Sequence, residues 1–196
     1  MHEFPEAFDL IRPVLRRGVP IHEVKEAAGR VARDSELIKA LLSMLQFPEG
    51  YKPIELQKAA WILNHAFQLD DRGFLPLRRE LGRALDATED ISALRELLKV
   101  LAHAVWLDIE TRDQQQETLE LAVEFLHVVD VPVAVHYAAL QILQSRARDG
   151  EALELALEAV RALRRQLSGV STPLERCAIQ YEARFRQKLA RTKSPS

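Results

Sequence analysis

The chain has 196 residues, 47% of them hydrophobic and 29% charged, with 7 Gly, 9 Pro, one Asn and a net charge of −2. That much apolar content excludes a disordered chain. A shortage of turn-forming Gly and Asn beside plentiful Ala, Leu, Glu and Arg, all good helix formers, argues against a sandwich, a barrel or a disulfide scaffold. The near-neutral balance also disfavours a dedicated nucleic-acid binder.

Apolar residues recur at helical spacing along almost the whole chain and predict ten helices, with no strand. The first, over 4–17, is expected to be kinked or shortened by Pro13. The next two cover 21–33 and 35–46, the latter opened by the cap-like pair Asp34-Ser35. Pro53 opens a helix over 53–68, since a missing N–H costs nothing in a first turn. Helices over 74–86, with Pro76 near its start, and 90–106, begun by Thr88-Glu89-Asp90, follow. The remainder cover 113–129, 132–147 after Pro132, 150–168 and 173–190 after Pro173. Gly18, Gly50, Gly73, Gly150 and Gly169 fall between helices, where left-handed backbone is expected. Residues 192–196 are expected to be a disordered tail.

The even-numbered helices share a motif: an apolar residue, a small or apolar one four on, and an apolar one seven on. It reads Val24/Ala28/Val31, Leu56/Ala60/Leu63, Leu94/Leu98/Leu101, Val135/Ala139/Ile142 and Leu174/Ala178/Tyr181, with starts 32, 38, 41 and 39 residues apart. A period near 40 with two helices per period is the range of HEAT and armadillo arrays. A two-helix unit cannot bury its apolar stripe alone, and stacking neighbours builds one continuous core. The expectation is therefore all-α: a right-handed α-α superhelix, HEAT/armadillo-like, of about five helix pairs, forming a single domain over 1–191.

The runs Gln57-Lys-Ala-Ala-Trp-Ile-Leu63, Asp130-Val-Pro-Val-Ala-Val135 and Ala138-Ala-Leu-Gln-Ile-Leu143 carry a family resemblance. They resemble the second helix of HEAT repeats, and more narrowly a family of short bacterial HEAT-like proteins, over roughly 34–190. Some members of such families carry an adenylosuccinate lyase label. This chain lacks the Ser-rich mobile signature loop that lyase chemistry needs and is shorter than that superfamily. The position after each motif start, occupied by Lys25, Gln57, Arg95, His136 and Glu175, also leaves the usual Asp/Arg ladder of HEAT repeats incomplete.

A superhelix presents the outer positions of its second helices on a concave face. The register assigns Gln57, Lys58, Trp61, His65, Arg95, Lys99, His103, His136, Tyr137, Gln141 and Arg176 to it, with Glu96, Gln144, Gln180 and Arg184 alongside. That face reads as polar and mildly basic, suited to an acidic peptide or, as the alternative, to a phosphate backbone. Trp61 and Tyr137 would offer stacking area, while core packing is the usual fate of such aromatics. His65 and His103 share a repeat position, but no His pair has metal-ligand spacing.

No P-loop, dinucleotide fingerprint or nucleophile elbow occurs. Cys177 lies beside Ala178 in a helix and is expected to be a buried thiol, unable to form an internal disulfide or a Cys-based zinc site. Asp70-Asp71 and Glu89-Asp90 read as helix caps. The expectation is a non-catalytic interaction scaffold with no cofactor and an unidentified protein or peptide partner; the alternative is a nucleic-acid binder resembling the DNA-alkylation-repeat glycosylases. Met1–Glu6 has no basic or apolar leader region, and the stretch Leu119–Leu143 is interrupted by Glu124, His127, Asp130 and His136. No membrane association and a cytoplasmic location are expected.

Charge is segregated late in the chain. Residues 108–130 hold seven acids against Arg112 alone, and residues 173–196 hold six bases against Glu175 and Glu182. Solvated helix faces, a partner at one end, or head-to-tail self-association all accommodate that pattern.

Overall fold

The computed structural model describes residues 8–16, 20–128, 130–168 and 172–193. Among them are ten α-helices and no strand: α1 Phe8–Arg16, α2 Ile21–Val31, α3 Ser35–Gln46, α4 Pro53–Leu69, α5 Arg78–Ala87, α6 Ile91–Leu101, α7 Arg112–His127, α8 Val133–Arg146, α9 Gly150–Leu167 and α10 Pro173–Thr192. Short 3-10 turns occupy Leu75–Leu77 and Ala104–Asp108. The chain divides into two units, Met1–Val100 and Leu101–Ser196.

In the first unit α4 is the hub. α1, α2 and α3 all pack on it, and α5 packs on α3. Ala59, Ala60 and Ala66 on α4 are wholly buried beside Ile62, Leu63 and Phe67, so its neighbours approach a surface of small side chains. They bring Ile11 and Leu15 from α1, Val24, Ala28 and Val31 from α2, and Ile38, Leu41, Leu42 and Leu45 from α3. The helix starts are held by side chains that accept otherwise orphaned N–H groups. Asp34 accepts from Glu36 and Leu37. Glu55 accepts from the Lys52 N–H (2.8 Å), and Asp90 from Ser92 and Ala93.

In the second unit α8 is buried around most of its circumference, through Val135, Ala138, Ala139, Leu140, Ile142 and Leu143, as befits a helix with neighbours on several sides. α7 and α10 each pack on both α8 and α9. Thr111, Asp149 and Thr172 cap α7, α9 and α10.

Several boundaries differ from the sequence reading. The helix expected over 90–106 ends at Leu101, and the 3-10 turn carries Trp106 into the core with no exposed surface. Continued helix would have aligned Val105, not Trp106, with the stripe Leu94/Leu98/Leu101, so breaking it buries the larger ring. Pro13 lies inside a nine-residue α1, where it removes the bond to Asp9. Pro132 precedes α8 as its N-cap instead of opening it. Gly50 takes the left-handed conformation (φ 88°) and is the only described glycine to do so. Gly73 serves close packing instead, since a Cβ there would lie 2.9 Å from Ile38 Cδ1. Gly150 is the first residue of α9. Gly18, Gly169 and 194–196 of the expected tail lie outside the described residues, while Thr192 closes α10.

Candidate binding face

Residues 57, 61 and 65 of α4 recur every four positions and so line one face of that helix. α6 lies alongside, joined through polar groups. Gln57 donates to the Asp90 carboxylate (2.9 Å), and Asn64 donates to Glu96 (2.6 Å). Asn64 and Glu96 are both buried, at 3% exposure. Lys99 Nζ donates to both Glu96 oxygens (2.9 and 3.1 Å), and Arg95 Nε to one (2.9 Å). Burial alone would push the Glu96 carboxyl up, but these hydrogen bonds and the Lys99 and Arg95 charges outweigh it and hold it below its ordinary value. Glu96 is therefore an ionised anchor that fixes two cationic heads at the rim.

Beside this anchor opens a cavity of about 530 Å³, lined by Pro20, Ile54, Gln57, Lys58, Trp61, Ser92, Arg95 and Glu96. The Trp61 ring is half-buried in its wall, tilted 43° to His65 at 5.9 Å between centroids. His65 Nε2 is buried without a hydrogen-bond partner. Burial, then the charges of Lys25 and Lys99, keep this imidazole below its ordinary pKa. An apolar wall, an amide and ordered cations are what a pocket for an anionic group with an apolar body requires.

Three assignments to this face need correction, the first being Glu96, which is buried beneath the face instead of displayed on it. Lys58 is not displayed: it is 5% exposed, and its Nζ reaches the Leu15 carbonyl of α1 (3.3 Å). Burial lowers its pKa. The side chain is long enough to run under α1 to a carbonyl. His136 is also buried, at 4% exposure, with Nε2 bonded to the Val128 carbonyl (3.1 Å) and Nδ1 unpartnered. Burial holds it neutral, lowering its pKa. α8 is enclosed on more sides than a simple two-faced helix, so the motif position facing solvent elsewhere faces protein here. His103 lies beyond the end of α6 and is exposed in the turn that follows.

Gln57, Trp61, His65, Arg95 and Lys99 are thus gathered in the first unit. In the second, Tyr137 is half-buried and Gln141 exposed on the same face of α8, and Arg176 is exposed on α10. Trp61 and Tyr137 belong to different units.

Three polar centres escaped the sequence reading. Asn64 was visible only as the chain's one asparagine, although its position within the apolar face of α4 was the available signal. Glu110 and Arg146 form an ion pair (3.1 Å) with side chains 0% and 1% exposed. The signal there was an arginine in register with Ile142 and Leu143. Glu182, 2% exposed, accepts from Arg161 (3.2 Å) and Arg164 of α9 and from Arg186. Burial works against its ionisation, but the bonds from Arg164 and Arg161 lower its pKa on balance.

Other reactive groups are accounted for structurally. The Cys177 thiol is half-buried and pushed up by burial, against the pull of Arg184, which disfavours the nucleophilic thiolate. Asp70 ends α4 and is clasped by Arg72, which lowers its pKa to about 2. Among the described residues no group of His, Cys, Asp or Glu could hold a metal ion, and no helix is long and apolar enough to cross a membrane. In comparison with known proteins, no family model, no curated protein and no solved structure matches this chain.

Proposed function

We propose that the chain is a non-catalytic protein-interaction scaffold of the HEAT-like α-α superhelical kind, working in the cytoplasm, and that the α4–α6 face docks an acidic peptide segment carrying one apolar anchor residue. The cavity beside Trp61 carries this reading. Ile54, Pro20 and the Trp61 ring supply an apolar wall, Arg95 lines the same cavity, and the buried Glu96 carboxylate holds both Arg95 and the neighbouring Lys99. A half-buried tryptophan flanked by charge is the composition of an interface hot spot. With the cations already ordered by Glu96, less rotamer entropy is lost on binding.

Peptide selection from a random displayed library tests it. Enrichment of acidic sequences with a single aromatic or aliphatic residue is expected, and Trp61→Ala or Arg95→Glu should weaken them by at least about tenfold, roughly 1.4 kcal/mol. Selected peptides that bind both variants as well as the parent protein would exclude this face.

One observation favours a second reading, nucleic-acid binding in the manner of DNA-alkylation-repeat glycosylases: an accessible indole between cations is also a stacking platform for a base. Both Glu96 oxygens are committed to Asn64, Lys99 and Arg95, so this reading is one of binding without base excision. Titration with DNA at about 50 and 200 mM salt decides it, because phosphate contacts weaken steeply over that range. Absence of salt-dependent binding at the lower concentration removes it.

A further inference from the structure

The segregated charge of the second unit is organised into two matched stripes. On α7, Asp113, Glu117, Glu120 and Glu124 fall at i, i+4, i+7 and i+11, and all four are exposed. They form one row about 16 Å long at 1.5 Å per residue. None is in an ion pair among the described residues; Glu120 only accepts from Gln116 (2.7 Å). Like charges at these spacings repel and work against the helix that carries them.

On α10, Arg176, Arg184, Lys188 and Arg191 are exposed along one side, a row of about 22 Å. Arg184 donates to the Gln144 side chain (3.4 Å) and Lys188 to the Gln144 carbonyl (3.2 Å). Arg148 joins them by bonding the Ser145 carbonyl (3.2 Å). Burial, and then the nearby charges of Arg148 and Arg184, lower the Lys188 pKa. No carboxylate pairs with these cations among the described residues, and Glu182 of the same helix is consumed by its three arginines.

The spacings agree as well as the signs. Arg184, Lys188 and Arg191 step by four and then three residues. So do Asp113, Glu117 and Glu120 read forward, and Glu124, Glu120 and Glu117 read backward. Either relative direction of two helices therefore sets three carboxylates against three cations.

We propose that the α7 stripe of one copy docks on the α10 stripe of a second copy. The contact joins two different surfaces: paired reciprocally about a two-fold axis it closes as a dimer, and paired once per copy it propagates head to tail into a ring or an open chain. Mutual attraction of opposite stripes steers the encounter and fixes its register.

Sedimentation of the full chain tests it. At low salt the weight-average mass should rise with concentration above the 22.3 kDa of one chain. Near 1 M salt, where the Debye length is about 3 Å, it should fall back to the monomer. Glu117→Lys with Glu120→Lys should abolish association, as should Arg184→Glu with Lys188→Glu. Mixing the two double variants, or combining all four changes in one chain, should restore it, because each reversed stripe again meets its opposite. Glu124→Lys and Arg191→Glu provide a second pair should either first variant fail to fold. A wild-type chain that stays monomeric at low salt, or association indifferent to both reversals, overturns the proposal.

Discussion

Arg146→Met separates the net worth of a buried ion pair from the cost of breaking it. Arg146 and Glu110 have side chains 1% and 0% exposed, and the Nη2 group reaches both carboxylate oxygens at 3.3 and 3.1 Å. Nη1 also donates to Ser145 Oγ (2.8 Å), a hydroxyl that is satisfied in any case by the Ile142 carbonyl. Removing the guanidinium takes from a fully desolvated carboxylate its counter-charge and two hydrogen bonds, at a cost of about 3–5 kcal/mol. For a chain of this size each kcal/mol moves the midpoint by about 2–4 °C, so a fall of roughly 6–20 °C is expected. Glu110→Leu with Arg146→Met removes both charges and should recover most of the loss, because replacing such a pair by apolar groups is often neutral or better. Trp106 provides the assay. It is buried in the same unit, and Trp61 lies in the other. In a Trp61→Phe background, fluorescence then follows unfolding of the second unit alone. Loss of less than about 1 kcal/mol in the single variant, or a double variant no more stable than the single, would refute the reasoning.

Three more tests address the polar and backbone exceptions. His136 is held neutral by burial, and its unfolded counterpart titrates near pH 6.5. Above that pH its contribution to stability is fully present. Below it the unfolded chain takes the proton first, and stability is lost as pH falls through the lowered folded value. His136→Leu should therefore flatten the stability of the second unit between pH 7 and 5, and an unchanged pH slope counts against this account. Asn64→Leu should cost about 1–3 kcal/mol by leaving Glu96 short of a donor, read from the urea midpoint in a Trp106→Phe background; no shift in midpoint contradicts the assigned role. Gly50→Ala should cost about 1–2 kcal/mol through backbone strain alone, since a Cβ there meets nothing within 4 Å, and Gly50→Asn should cost less. Equal stability of all three Gly50 forms in urea would exclude that cause.

The helices were legible because local chemistry defines them. Apolar period, Asp34 and Asp90 as caps, and Pro53 and Pro173 in first turns all act within a few residues of where they are read. The break after Leu101 was not legible, because no Gly or Pro marks it and the burial of Trp106 selects the turn. The face was read in part for the same reason. Trp61 and Arg95 follow from helical register, whereas Lys58 and His136 hold outward-reading positions that α1 and the neighbours of α8 cover.

By itself, then, the amino-acid order determined ten helices, the apolar stripe of each, and the acidic and basic rows of α7 and α10, since all of these depend on spacing along one helix. Only the tertiary structure decided which polar groups lie inside. Asn64 meets Glu96 across 32 residues, Arg146 meets Glu110 across 36, and Arg161 meets Glu182 across 21. No periodicity links such partners. They are chosen by which helix surfaces come together, and a buried charge is tolerated only where that meeting supplies its counter-charge and donors.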